Sequence, residues 1–217
     1  MKDYRIIFKK TGISKYISHL DLNRCMSRAI RRSGLPAWYT EGFHPHLYLM
    51  FPLALSLGVE SLCEVMDFRL TEEVPPEEIL NKLNSALPEG IQALEVREPQ
   101  MQTQDITGAE YQLSFTSPEV PNLSVLWNAF IAQPEILIQK RTKKGFKETD
   151  IKPMINIKNI YMRNRELCLT LCLPAGNEGN LNITAVAEAF QNYADKPILM
   201  KSVCRIKIFS ENQQDFF

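Results

Sequence analysis

The spacing of apolar residues changes several times along the chain, and each change marks an element. Residues 4–9 alternate as a strand, and Gly12-Ile13-Ser14 reads as a turn. Residues 18–33 follow a helical period, with Leu22, Cys25, Met26, Ala29 and Ile30 on one side. Ser18-His19-Leu20-Asp21 resembles a capping box at the start, and Gly34 followed by Pro36 closes the helix. Residues 35–40 and 47–51 are short strand candidates. Residues 64–70 are a stronger one, with Val65, Asp67 and Arg69 alternating against Met66, Phe68 and Leu70. Pro75-Pro76 opens a second helix through Leu87, carrying Ile79, Leu80, Leu83 and Leu87 on its apolar side. Pro88-Glu89-Gly90 ends it, and residues 91–96 form a last strand.

The polar stretch 99–108 reads as a linker, after which the plan repeats. Strands are expected at 111–115, 135–141, 151–160, 166–173 and 203–209, and helices at 123–132 and 183–193. Lys143-Lys144-Gly145 joins the second and third of those strands. The order β-α-β-β-α-β, met twice, predicts an α+β protein of tandem ferredoxin-like (split βαβ) domains with antiparallel sheets. The expected domains are 1–98, with a basic helix and a histidine loop, and 109–217, with a basic hairpin. Element order alone carries this expectation, since the halves share no recognisable sequence repeat.

Composition narrows the class without naming a function. The 217 residues are 45% hydrophobic and 23% charged, which excludes collagen-like, disordered and disulfide-scaffold chains. Lys plus Arg equals Asp plus Glu at 25 each, but the charges are segregated. Residues 1–40 hold nine basic and two acidic side chains, 41–110 hold three and thirteen, and 139–165 hold nine and two. Two basic stretches around an acidic centre point to an anionic partner. No signal-peptide core or apolar run near 18 residues occurs, so a cytoplasmic protein without membrane contact is expected. The five cysteines form no CxxC pair, so they signal no iron–sulfur or structural zinc site, and no cofactor is expected. Cys168 and Cys172 are expected to share one face of a strand with Thr170.

Three features could carry chemistry. Arg24, Arg28, Arg31 and Arg32 cover about 100° of the first helix, opposite its apolar side. Guanidinium groups bind phosphate through paired hydrogen bonds and stack on bases, so this stripe is a candidate RNA-binding surface. The second feature is Thr40-Glu41-Gly42-Phe43-His44-Pro45-His46. It reads as a metal site built on His44 and His46 with His19, Cys63 or Asp67, as a turn held by Gly42 and Pro45, or as an RNA-contacting loop through His44. His19 and His46 are also candidate catalytic bases for metal-independent RNA cleavage, with Tyr39 or Lys15 assisting. The third feature is the lysine-rich hairpin, where Lys140, Arg141, Lys143, Lys144 and Lys147 surround Phe146, an aromatic able to stack on a base. Asp150 is expected to pair with a lysine of the same hairpin. Nucleotide-binding and hydrolase motifs such as Walker A, GxGxxG, GxSxG and HExxH do not occur.

Several of these segments together resemble a family of bacterial radical SAM-associated proteins of unknown function. The matching pieces are Ile17-Ser18-His19-Leu20-Asp21, Arg28-Ala29-Ile30-Arg31-Arg32-Ser33-Gly34-Leu35-Pro36 and Glu41-Gly42-Phe43-His44-Pro45-His46. Residues 51–61 and 143–153 extend the likeness. The family is expected to carry Asn where His44 stands and often Pro where Leu47 stands, which weakens a metal role for His44. The resemblance implies an accessory module that works with a radical SAM iron–sulfur protein. The chain lacks the three-cysteine cluster motif, so it is not itself that enzyme. Combined with the basic stretches, this gives a non-catalytic, RNA-binding adaptor for tRNA or rRNA modification. The alternatives are a metal-independent RNA-processing endonuclease and a subunit that binds protein only.

Overall fold

The structure, a computed structural model, describes residues 1–142, 145–176 and 179–217. The chain divides into two compact units, Met1–Ile106 together with Ser210–Phe217, and Thr107–Phe209. Both are α+β with antiparallel sheets, and the described residues hold four α-helices.

In the first unit the elements are β1 (Lys2–Lys10), α1 (His19–Arg32), β2 (Leu49–Met50), β3 (Glu60–Leu70), α2 (Pro76–Ala86) and β4 (Ile91–Arg97). The strands lie in the order β4-β1-β3-β2, every pair antiparallel. Alternation sends Tyr4, Ile6 and Phe8 of β1 to the same side as Met66, Phe68 and Leu70 of β3. Against them pack Leu22, Met26 and Ile30 of α1 and Ile79 and Leu83 of α2, forming one apolar core. The expected start of α1 is present: Ser18 Oγ accepts from the Asp21 N–H (3.1 Å) and donates to its carboxylate (2.8 Å). Gly90 is required where it stands. Its φ is +82°, and a Cβ there would lie 2.6 Å from both Ser14 Oγ and the Thr11 carbonyl.

Two expectations need correction here. Segments 35–40 and 47–51 do not form two strands. They supply only β2 and the isolated bridges Ala37↔Leu70 and Tyr39↔Leu47. Pro36, Pro45 and Pro52 interrupt this stretch, and proline has no N–H to give to a ladder. Stretch 99–108 is not a bare linker. Thr103–Asp105 forms a 3-10 turn closed by reciprocal Gln102–Asp105 bonds, and the carbonyl of Met101 accepts from Arg5 (2.8 Å).

The second unit contains β5 (Gly108–Thr116), α3 (Leu123–Ala132), β6 (Leu137–Thr142), β7 (Gly145–Asp150), β8 (Asn156–Arg163), β9 (Glu166–Pro174), α4 (Ile183–Tyr193) and β10 (Leu199–Phe209). Its sheet runs β10-β5-β9-β8, again antiparallel, and β6 pairs with β7 as a separate hairpin. The core is aromatic: Phe190 packs on Phe115, Trp127 and Phe130. Asn122 and Asn182 cap α3 and α4 by accepting from the N–H groups of Ser124 and Thr184. The expected strand 151–160 is broken. A 3-10 turn at Lys152–Met154 contains Pro153, and β8 begins only at Asn156. On β9, Cys172 is buried while Cys168 and Thr170 are half-buried, and the five cysteines are thiols rather than disulfides.

Candidate nucleic-acid interface

Amphipathic spacing on α1 sends Leu22, Met26 and Ile30 inward and leaves Arg24, Arg28, Arg31 and Arg32 exposed. Their surroundings differ. Arg24 pairs with Asp21 one turn away (3.1 Å), both more than half exposed, so this ion pair is weak. Arg32 donates to the carbonyl of Ala86 at the end of α2 (2.6 Å). Arg31 lies over the ring of Tyr39 (5.7 Å). Among the described residues, Arg28, Arg31 and Arg32 form no salt bridge, although the Asp21 carboxyl, held below its ordinary value chiefly by hydrogen bonds from Ser18 and Arg24, is also pulled down by the charges of Arg24 and Arg28. Arg24, Arg28 and Arg32 border a recess of about 280 Å³ with Asp21, Cys25 and Pro88. Burial pushes the Cys25 thiol up, against the pull of Arg32 and Arg28. The recess therefore holds three guanidinium groups against the one Asp21 carboxylate, with a protonated thiol rather than a thiolate nucleophile, and this net positive lining suits an anion such as a phosphodiester.

The histidines make separate contacts. His19 is exposed at the start of α1 with its ring edge-on to Phe51 (5.3 Å). His46 closes its own loop: its N–H donates to Thr40 Oγ1 (3.1 Å), its Nδ1 shares a hydrogen bond with the same oxygen (3.0 Å), and Thr40 N–H donates to the His46 carbonyl (2.8 Å). The loop is thus a fixed turn, with Gly42 at φ +115° and Phe43 and His44 exposed. No hydrogen bond or ring contact joins His19 to His46 among the described residues. Of the residues expected to assist, Tyr39 bridges Leu47 beside His46, while Lys15 makes other contacts. Lys15 approaches Glu60 (3.8 Å), and Tyr39 lies beneath Arg31. No group of three His, Cys, Asp or Glu side chains that could hold a metal occurs among the described residues.

On the hairpin, Phe146 is 75% exposed and Lys147 is exposed. Lys140 donates to the Asn180 carbonyl (3.0 Å). Arg141 belongs to β6, opposite Phe146 in the register. Lys143 and Lys144 lie outside the described residues. Among the described residues the Asp150 carboxylate is held chiefly by backbone N–H groups, with a smaller electrostatic pull from Lys152. Asp150 Oδ1 accepts from the N–H groups of Ile136 (2.8 Å) and Lys152 (3.0 Å), and these two bonds hold its carboxyl below the usual carboxylate range. A carboxylate with a depressed native pKa stabilises the fold fully above its unfolded value of about 3.9, and that contribution is lost as pH falls through the native value. Amide exchange at Ile136 and Lys152 should therefore accelerate on acidification below about pH 4, beyond the intrinsic trend. Asp150→Asn should abolish that step.

Sequence reading passed over one polar pair. Arg5 and Asp67 face each other across β1 and β3 and form a two-pronged ion pair, Nε to Oδ1 at 2.7 Å and Nη2 to Oδ2 at 2.9 Å. Their side chains are only 1% and 8% exposed. Arg5 also donates to the carbonyls of Phe216 (3.2 Å) and Met101 (2.8 Å), and its guanidinium stacks on Phe216 (4.5 Å). The one signal in sequence was a pair of opposite charges at alternating positions of two apolar strands.

The fold and the α1 face define an α+β protein of two antiparallel-sheet units, the first carrying an exposed guanidinium surface. Residues 3–183 match a family model, and the chain belongs to that family, DUF2344, described as an uncharacterized protein conserved in bacteria. No curated protein matches it. Among solved structures, a chain of "Crystal Structure of a Cbf5-Nop10-Gar1 Complex" is similar in fold, with a TM-score of 0.53 at 10% identity over 96% of this chain. This chain spans 50% of that one. The expected link to radical SAM proteins gains nothing from these likenesses. No described helix is long and apolar enough to cross a membrane.

Proposed function

We propose that this protein is a non-catalytic RNA-binding module in which the α1 arginine face takes the phosphate backbone, and that it serves a radical SAM enzyme as an accessory. In this reading each unit is a ferredoxin-like domain. The matching strand orders β4-β1-β3-β2 and β10-β5-β9-β8 support that assignment, the first unit running β-α-β-β-α-β and the second the same once the β6–β7 hairpin inserted after α3 is set aside. The observation that carries the RNA reading is the availability of Arg28, Arg31 and Arg32: all exposed and without a salt bridge among the described residues, with Arg28 and Arg32 bordering a recess of net positive lining. The exposed Phe146 and Lys147 of the second unit supply a further stacking and cationic surface. The radical SAM partnership rests on the sequence resemblance.

The test is binding of tRNA and rRNA fragments, measured by fluorescence anisotropy across a salt series. Each phosphate contact contributes about 0.7–0.9 to the slope of log affinity against log salt, so changing Arg28, Arg31 and Arg32 together to alanine should flatten it by about 2–3. Absence of binding at low salt, or a slope unchanged in the triple variant, would remove the RNA reading. RNA cleavage without metal, lost in His19→Ala or His46→Ala, would replace the adaptor by an endonuclease. Co-purification of an iron–sulfur protein without nucleic acid would favour a protein-binding subunit.

A further inference from the structure

Within the first unit, a second recess of about 310 Å³ opens onto the Arg5–Asp67 pair. We infer that it is a binding site for a single nucleobase, an uncharged flat heterocycle carrying N–H donors. The inference takes the source of the base, an unstacked nucleotide of RNA, from the reading above. The chemistry of the site comes from the recess alone.

Charge balance excludes an ionic ligand. The Arg5 guanidinium is committed to Asp67 and to two carbonyls, which leaves no free cation for a phosphate. Asp67 is neutralised by Arg5, and Asp3, also at the recess, is held by Arg69 through two bonds (2.5 and 2.9 Å), so no free anion remains for an amine. What remains is hydrogen-bond acceptance. Each oxygen of an ionised carboxylate has room for about two donors, and each Asp67 oxygen receives one from Arg5. The second acceptor site on each oxygen suits a ring or exocyclic N–H, and the bidentate Arg5 contact fixes the carboxylate in place.

The walls select a flat, polarisable ligand. Tyr48, Met50, Pro99 and Met101 contribute a ring, two thioethers and a pyrrolidine. Tyr48 is held by Arg69 over its face (5.0 Å) and Trp38 at its edge (6.1 Å), so it is a preformed platform. Thr103 Oγ1 bonds Met50 Sδ (3.8 Å), which ties the 3-10 turn to β2 on one side of the recess. Gln104 stands exposed among the lining residues, an amide able to donate to a base carbonyl or accept from an amino group. The volume is at the small end of the range of about 300–1,000 Å³ for ligand pockets, the size class of a base or nucleoside.

The test titrates the intact protein with adenosine, cytidine, guanosine and uridine, following heat and intrinsic fluorescence. Saturable binding of at least one nucleoside is expected. Gln104→Trp, an exposed substitution that fills the opening, should weaken it at least tenfold, and Met50→Ala should weaken it by removing a wall. The Arg28, Arg31 and Arg32 triple variant should bind nucleoside as the native protein does. Failure of all four nucleosides to bind, or unchanged affinity in Gln104→Trp, overturns the inference. Displacement of bound nucleoside by inorganic phosphate also overturns it, because the site would then be an anion site. Nucleoside binding that Gln104→Trp abolishes, in a protein with no affinity for RNA, supports the nucleobase site and removes the RNA reading. RNA binding without nucleoside binding does the reverse.

Discussion

Asp67→Ala should destabilise the first unit by about 3–5 kcal/mol, the cost of leaving a buried charge without its partner. Arg5 is 1% exposed, and its Nε and Nη2 both bond the Asp67 carboxylate. The carbonyls of Phe216 and Met101 and the Phe216 ring would still contact the guanidinium, but none of them carries the opposing charge. Urea unfolding measured by Trp38 fluorescence, in a Trp127→Phe background, isolates the effect because the chain has only two tryptophans and these lie in different units. The double variant Arg5→Met with Asp67→Leu should recover most of the loss, since an apolar pair of similar volume has no charge to desolvate. A loss below about 1 kcal/mol in Asp67→Ala, the size typical of exposed pairs, would mean that water reaches the pair freely.

An effect of similar size is expected in the second unit. Phe190 is fully buried and meets three rings, Phe115 at 5.2 Å, Trp127 at 4.9 Å and Phe130 at 5.4 Å. Phe190→Ala removes the centre of that cluster and opens a cavity that flanking β5 and α3 can close only in part. The expected cost is about 3–5 kcal/mol. Phe190→Leu fills more of the space and should cost less. Trp127 emission in a Trp38→Phe background reports the unfolding directly, because Trp127 packs edge-to-face on the substituted residue. If alanine costs no more than leucine, the cluster is not the stabilising core of this unit.

Both predictions show where the sequence was and was not informative. Helix α1 was legible because its signals are local: Ser18 and Asp21 at one end, Gly34 at the other, and a 3.6-residue apolar period between them. The arginine stripe was legible for the same reason, since side chains on one helix share a face by spacing alone. The stretch 35–51 was not, because alternation there is interrupted by prolines whose effect on a ladder depends on which neighbour needs the missing N–H. The hairpin was half legible. Its presence was read from Lys143-Lys144-Gly145, and Gly145 opens β7, but the Pro153 turn that separates β7 from β8 was absorbed into the expected strand 151–160.

By itself the sequence determined the α+β class, the places of the four described helices, the burial of the α1 core face and the exposure of its arginines. Each of these follows from residues within about two turns of one another, where propensity and periodicity act. Only the tertiary structure decided that Arg5 meets Asp67, that residues 99–105 border a recess, and that Phe216 returns to lie over the first strand. Those contacts join positions far apart in the chain. They depend on strand register, where a one-residue slip would turn both charges to the opposite face.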